Sequence, residues 1–281
     1  MNITGGIASI GGAVGSLFYT GAGGLNVADG VALTNNSNNY QGQSQFTTLP
    51  SWGGISNSFS SIADLGVASA LGAPTTVANG TILIGPGSGQ ALGNSVLRYT
   101  GSGNSSNRNW QFRPGNYAGA ISLTNSGSGT LTLTGDVAAV GGSRSFGFTA
   151  ESADMNVLGV ISSNTGRAAL FSANSGQTLR LSTANTFSGQ ANIGGAGTVE
   201  AAVVGKAGVA GSLGTSSVFI NGGNLSYVGT GESTSKPWSI SNGALNSNGT
   251  GALVLGGTVA IGGTATLGGS FTGSSNIISG V

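Results

Sequence analysis

Short runs in which apolar and polar residues alternate, each closed off by Gly, Asn or Ser, recur along the chain and restrict it to folds made of short strands. In GTLTLTG, residues 129–135, Leu131 and Leu133 alternate with Thr132 and Thr134, so one face of the segment is apolar. The same two-residue rhythm appears in NGTILIG (79–85), SVLRYTG (95–101), QTLRLST (177–183), SSVFING (216–222), GALVLGG (251–257) and GTATLGG (263–269). The bounding residues suit tight turns and left-handed backbone positions. Helical patterns are scarce. ESADMNVLGV, 151–160, contains helix formers, but its apolar spacing fits a strand as well.

Composition narrows the alternatives. Gly fills 55 of 281 positions, without the strict G-X-Y period of collagen. A hydrophobic fraction of 38% and a mean hydropathy of +0.20 provide a core and oppose disorder. With 8 basic and 7 acidic residues scattered along the sequence, no cluster exists to neutralise adjacent phosphates or anionic lipid. There is no His to titrate near neutral pH and no Cys for disulfide or thiolate chemistry. No apolar run approaches the length of a spanning helix. The amino end, MNITGGIASIGG, lacks the basic region and unbroken apolar core of a secretory signal.

A longer repetition lies above the strands. Tyr40 in NNYQGQ matches Phe187 in NTFSGQ at an offset of 147, Trp110 matches Trp238 at 128, and Gly129 matches Gly251 at 122. VLRYTGSGNSSNRNWQF (96–112) and NLSYVGTGESTSKPWSI (224–240) share a Leu-x-Tyr strand and a returning Trp. Short strands, glycine turns and a drifting long repeat predict an all-β solenoid, a right-handed parallel β-helix, in which stacking buries what one rung cannot bury alone. An antiparallel sandwich or barrel is the competing geometry. Coils of roughly 20–25 residues give roughly eleven to fourteen coils. Residues 1–281 are expected to form a single continuous solenoid. An irregular or short helical excursion is expected near 48–75, where Pro50, Trp52 and Pro74 break the rhythm, with the helix around 60–71.

TLRLSTANTFSGQANIGGAGTVE, 178–200, resembles the autotransporter-associated β-strand repeat, a Leu-x-Leu strand, an Asn-Thr-aromatic-x-Gly turn and a strand ending near a Gly-Thr-Leu step. The matching residues are Leu179, Leu181, Asn185, Thr186, Phe187, Gly189, Ile193, Gly197, Thr198 and Val199. VALTNNSNNYQGQSQF, 31–46, is similar to a degraded first copy through Leu33, Asn39, Tyr40 and Gly42. The resemblance implies a parallel β-helix passenger region of a secreted or surface-displayed bacterial protein. Its expected function is that of an extracellular structural stalk or passenger segment that contributes to adhesion.

Site chemistry is sparse. Arg98, Tyr99, Arg108, Trp110 and Arg113 form the candidate glycan contact, because aromatic faces and guanidinium groups together recognise sugars. The opposing reading is that Tyr99 and Trp110 stack on a neighbouring rung. The second copy keeps Tyr227 and Trp238 but carries Ser226 and Lys236 where the first has Arg98 and Arg108. Glu151 and Asp154 are the only close acidic pair, and a polysaccharide-active enzyme or viral tail-fibre segment needs two carboxylates across a bond. No Gly-Gly-x-Gly-x-Asp repeat holds calcium, and Ser has neither a His nor a Ser-x-x-Lys partner. SIGGAVG, 9–15, lacks the Lys of a nucleotide-binding loop. No catalytic, cofactor-binding or metal residues are expected, and no cofactor. The expected partners are neighbouring segments of a larger surface protein or fibre, and glycans, with no nucleic acid and no membrane insertion. A glycan-binding module is the alternative to the structural reading.

Overall fold

The computed structural model describes residues 2–4, 8–10, 18–20, 23–27, 30–46, 55–85, 95–113, 120–142, 144–182, 184–270 and 277–278. Asp29, Pro50, Trp52, Tyr117 and most of the glycine run at 9–15 lie outside them. The chain divides into two compact units, Met1–Phe146 and Gly147–Val281.

In the first unit one sheet runs through Ala8–Ile10, Leu25–Val27, Ser44–Phe46, Ile82–Ile84, Trp110–Phe112 and Val137–Ala139. A second runs through Ala32–Leu33, Ile55–Phe59, Ser95–Tyr99 and Ala120–Asn125, and Ser102–Ser106 pairs with Gly129–Leu133 on a third face. The second unit has one sheet of Ala169–Ala173, Ala191–Gly194, Val218–Asn221, Trp238–Ser241 and Val259–Gly262. Another is built from Met155–Val157, Thr178–Leu181, Thr198–Ala201, Asn224–Tyr227, Ala244–Ser247 and Thr266–Gly268. Thr230–Thr234, Gly251–Leu255 and Ile277–Ile278 form its third face.

Successive strands enter different sheets, and the chain returns to each sheet one coil later in parallel register, for example Val199 beside Leu225 and Leu131 beside Asn104. This is the right-handed parallel β-helix and not the sandwich. The isolated bridge between Asn185 and Gly211 is antiparallel. Register steps vary from 16 residues (Asn2 to Phe18) through 27 (Ala191 to Val218) to 40 (Ile55 to Ser95). Excursions lengthen several coils, so the described residues make about nine turns rather than eleven to fourteen.

The alternation seen in sequence sorts side chains as it should. Leu131, Leu133, Leu179, Leu181, Leu253 and Leu255 are buried while Thr130, Thr134 and Arg180 are exposed. Each fully buried Leu, Phe or Ile contributes about 1.5–3 kcal/mol. Aromatic rings of the core meet in tilted contacts, Phe59 with Tyr99 (centroids 5.5 Å), Phe112 with Phe146 (5.9 Å) and Phe171 with Phe187 (5.8 Å). In GTATLGG the pattern fails: Leu267 is 45% exposed, because Thr266–Gly268 is the last described rung of its sheet.

The break in rhythm near 48–75 resolves into three parts. Ile55–Phe59 is a strand, residues 60–76 are irregular, and the single helical turn lies at Val77–Gly80 instead of 60–71. Residues 60–71 do not close on themselves as a helix because the next coil supplies partners for their backbone. Ile62 N donates to Asn104 Oδ1 (3.3 Å) and Leu65 N to Asn107 Oδ1 (3.0 Å).

Candidate functional site

The five residues expected to make a glycan contact are not placed on one face. Tyr99 (0% exposed), Arg108 (0%) and Trp110 (1%) point into the coil, and only Arg98 and Arg113 reach the surface in part. Tyr99 and Trp110 both pack on Phe59, with centroids at 5.5 and 6.2 Å, which is the rung-stacking alternative. Arg98 Nη1 donates to Ser126 Oγ (2.8 Å), and Arg113 Nη2 donates to the Gly85 carbonyl (3.2 Å). Burial holds the Arg113 guanidinium below its ordinary value. Burial also raises the Tyr99 phenol, opposed by the hydrogen bond from Gly103 N. The correction has a simple cause: 106, 108, 110 and 112 are all buried, so the alternation that turns Trp110 inward also turns Arg108 inward.

Arg108 clamps the excursion. Its Nε donates to the Gly80 carbonyl (2.8 Å) and its Nη1 to the Leu71 carbonyl (2.6 Å). Burial lowers its pKa to about 10, so the group stays charged at neutral pH. In the second unit Lys236 Nζ donates to the Gly214 carbonyl, and burial, opposed by the nearby Glu232 charge, lowers its pKa to about 8.

The two clamped loops share hydrogen bonds at equivalent positions. Ser106 Oγ donates to Ala63 O (2.8 Å) as Thr234 Oγ1 does to Gly205 O (2.6 Å). Leu65 N donates to Asn107 Oδ1 (3.0 Å) as Ala207 N does to Ser235 Oγ (3.2 Å). Where Asn104 Oδ1 receives Ile62 N, the Glu232 carboxylate receives Val204 N and Gly205 N. Gly72 and Gly214, at φ of 74° and 68°, each lie on the preceding aromatic ring: a Cβ would stand 2.9 Å from Tyr40 and 2.5 Å from Phe187. At the apices Val67 and Val209 are each 53% exposed. The second excursion was not anticipated, although GVASALG (66–72) and GVAGSLG (208–214) carry its signature.

The repeat-motif residues make the corner beneath this loop. Asn185 is buried; its Oδ1 accepts from Ile161 N (2.8 Å) and its Nδ2 donates to Ser212 O (2.8 Å). In the first unit the buried equivalent is Asn38, whose Nδ2 donates to Ala70 O (3.1 Å), while Asn39, the residue matched by sequence, is exposed. Gly189 is required by contact, since a Cβ there would lie 1.7 Å from the Arg167 carbonyl oxygen.

Asp154 and Glu200 serve the wall. Asp154 Oδ1 accepts from Thr178 N (2.8 Å), and Arg180 bridges Asp154 (3.8 Å) and Glu200 (2.6 Å) across successive rungs. Among the described residues no group of three or more acidic, His or Cys side chains is placed to hold a metal ion. Among them also, no helix is long and apolar enough to cross a membrane.

No family model matches the chain, and no solved structure matches it. Over 272 residues it is 44% identical to the Adhesin BmaC autotransporter of Brucella suis biovar 1 (strain 1330). That match takes in 92% of this chain but only 8% of the length of the relative. The β-solenoid fold is consistent with autotransporter passenger and adhesin repeat proteins.

Proposed function

We propose that the chain is a structural segment of a larger bacterial surface adhesin, exported as part of an autotransporter-type passenger and displayed outside the cell. The observation that carries this reading is the similarity of 92% of the chain to one stretch of a protein named an adhesin and an autotransporter. The parallel β-helix supports it, because a stack of rungs is extendable by adding coils and needs no further chemistry. Its partners on this reading are adjoining coils of the same long polypeptide. Any adhesion by this segment is assigned to the two clamped excursions, whose apices present Val67 and Val209 at equivalent positions.

Two measurements test this. Proteinase K digestion of the purified chain should leave a large resistant fragment, as stacked rungs with paired backbones resist cutting; rapid conversion to small peptides contradicts the structural role. Beads coated with the chain are then applied to cultured mammalian cells. A purely structural segment binds no better than albumin-coated beads. Saturable binding that disappears in a Val67→Ser/Val209→Ser double variant places adhesion on the excursions.

A further inference from the structure

The two excursions end in the same turn. Val67 N donates to the Asp64 carbonyl (3.1 Å) as Val209 N does to the Lys206 carbonyl (3.0 Å). Gly66 N is tied back to Pro74 O (2.9 Å) and Gly208 N to Thr215 O (2.7 Å). Gly66 and Gly208 share the left-handed region, at φ of 81° and 78°, and a Cβ on either would meet nothing within 4 Å. The first residue of each turn is exposed, and there the two turns carry opposite charges, Asp64 in the first unit and Lys206 in the second. Most other charges of the chain are engaged internally. Asp154 and Glu200 pair with Arg180, Glu232 receives two backbone N–H groups, and Arg108 and Lys236 are buried on carbonyl oxygens. Asp64 accepts from Asn107 N (2.8 Å) but forms no ion pair among the described residues, and the Lys206 ammonium has no partner among them.

We propose that the turn at 64–67 of one molecule docks on the turn at 206–209 of a second copy, Asp64 against Lys206 and Val67 against Val209. When two turns of one shape meet about a local two-fold axis, equivalent positions face each other. First turn on first sets Asp64 against Asp64, and second on second sets Lys206 against Lys206. Like-charge repulsion therefore leaves the mixed pairing. Each molecule carries one turn of each kind, so the contact does not stop at a dimer. Two turns bury far less than the roughly 1,200 Å² of a stable interface, and an exposed ion pair adds little. One contact is weak, and many copies on one surface make it effective. The pairing gives the excursions a partner of their own and goes beyond the adhesive assignment, because it holds whether or not the segment binds host cells.

The test is clustering of microbeads densely coated with the full chain, read by microscopy at low ionic strength. Wild-type beads should cluster, and roughly 0.5 M sodium chloride should disperse them. Asp64→Lys beads and Lys206→Asp beads should each stay dispersed alone and cluster when mixed, because mixing restores opposite charges across the turns. Recovery on mixing also excludes misfolding as the cause of dispersal. The double exchange Asp64→Lys/Lys206→Asp should cluster with itself but not with wild type. Wild-type beads that stay dispersed, a single exchange that clusters like wild type, or a mixture that does not recover overturns the proposal. Dispersed wild-type beads that still bind host cells would sink this pairing and spare the adhesive reading.

Discussion

Arg108 Nη1 donates to the carbonyl oxygen of Leu71, 37 residues earlier in the chain, across 2.6 Å of the buried interior. The bond ties a rung to the surface loop inserted before it, so loop and rung should open together. Arg108→Ala removes two charge-assisted bonds and leaves a cavity. It is expected to lower unfolding stability by about 2–4 kcal/mol in a denaturant titration. Hydrogen exchange should accelerate at Gly66 and Gly72 in the same variant; an unchanged exchange rate there would mean the loop is held by something else.

Asn185 satisfies backbone groups of two different segments, Ile161 N and Ser212 O. Asn185→Ala leaves both buried and should cost about 2–4 kcal/mol. Asn39→Ala, at the exposed neighbour of the equivalent Asn38, should change stability by less than about 0.5 kcal/mol. Equal losses in the two variants would contradict the assignment of Asn38 as the corner residue.

Glycine substitutions separate contact from conformation. At Gly189 a Cβ would strike the Arg167 carbonyl at 1.7 Å, and at Gly129 the Ser102 carbonyl at 2.0 Å, backbone against backbone in each case. Either Gly→Ala change should cost more than about 3 kcal/mol or prevent folding, through displacement of a neighbouring rung. Gly166 has nothing within 4 Å of its Cβ position. Gly166→Ala should therefore be neutral or stabilising by up to about 1 kcal/mol in thermal melts.

Lys236 gives a pH dependence with a definite sign. Its folded pKa of about 8 lies below the ordinary 10.5. Between those values the unfolded chain binds the proton more tightly than the folded one, so stability rises with pH across that interval and is flat from this group below it. Denaturant midpoints at pH 8, 9 and 10 in wild type and Lys236→Met isolate the effect. The wild type should gain relative to the variant as pH rises, and a gap that moves the other way contradicts the buried placement of the ammonium.

How far the sequence could be read depended on how local each signal was. The Leu-Thr alternation at 130–134 marks a half-buried strand because its period is complete within a few residues. The Asn-Thr-Phe-x-Gly turn at 185–189 was legible for the same reason, although the run of asparagines at 35–39 hid which one is buried in the first copy. Coil length was not legible, because the excursions at 60–76 and 203–216 are accommodated by hydrogen bonds to later rungs that leave no local pattern. Arg108 was assigned to the surface on the general rule that Arg stays outside unless paired. Its partners are main-chain carbonyls far back in the chain, which residue identity does not reveal.

The parallel stacking is tested most directly by disulfide trapping, which is clean in a chain without cysteine. Ser105 stands beside Thr132 in the first unit, and Thr198 beside Asn224 in the second. Adjacent strands lie about 4.8 Å apart, within the range a disulfide spans. Ser105→Cys/Thr132→Cys and Thr198→Cys/Asn224→Cys should each oxidise to an intramolecular disulfide in the folded protein without loss of cooperative unfolding. The pair Thr198→Cys/Leu225→Cys, one residue out of register and on opposite faces, should remain reduced. Failure of both in-register pairs, or equal oxidation of the mismatched pair, would contradict the parallel β-helix itself.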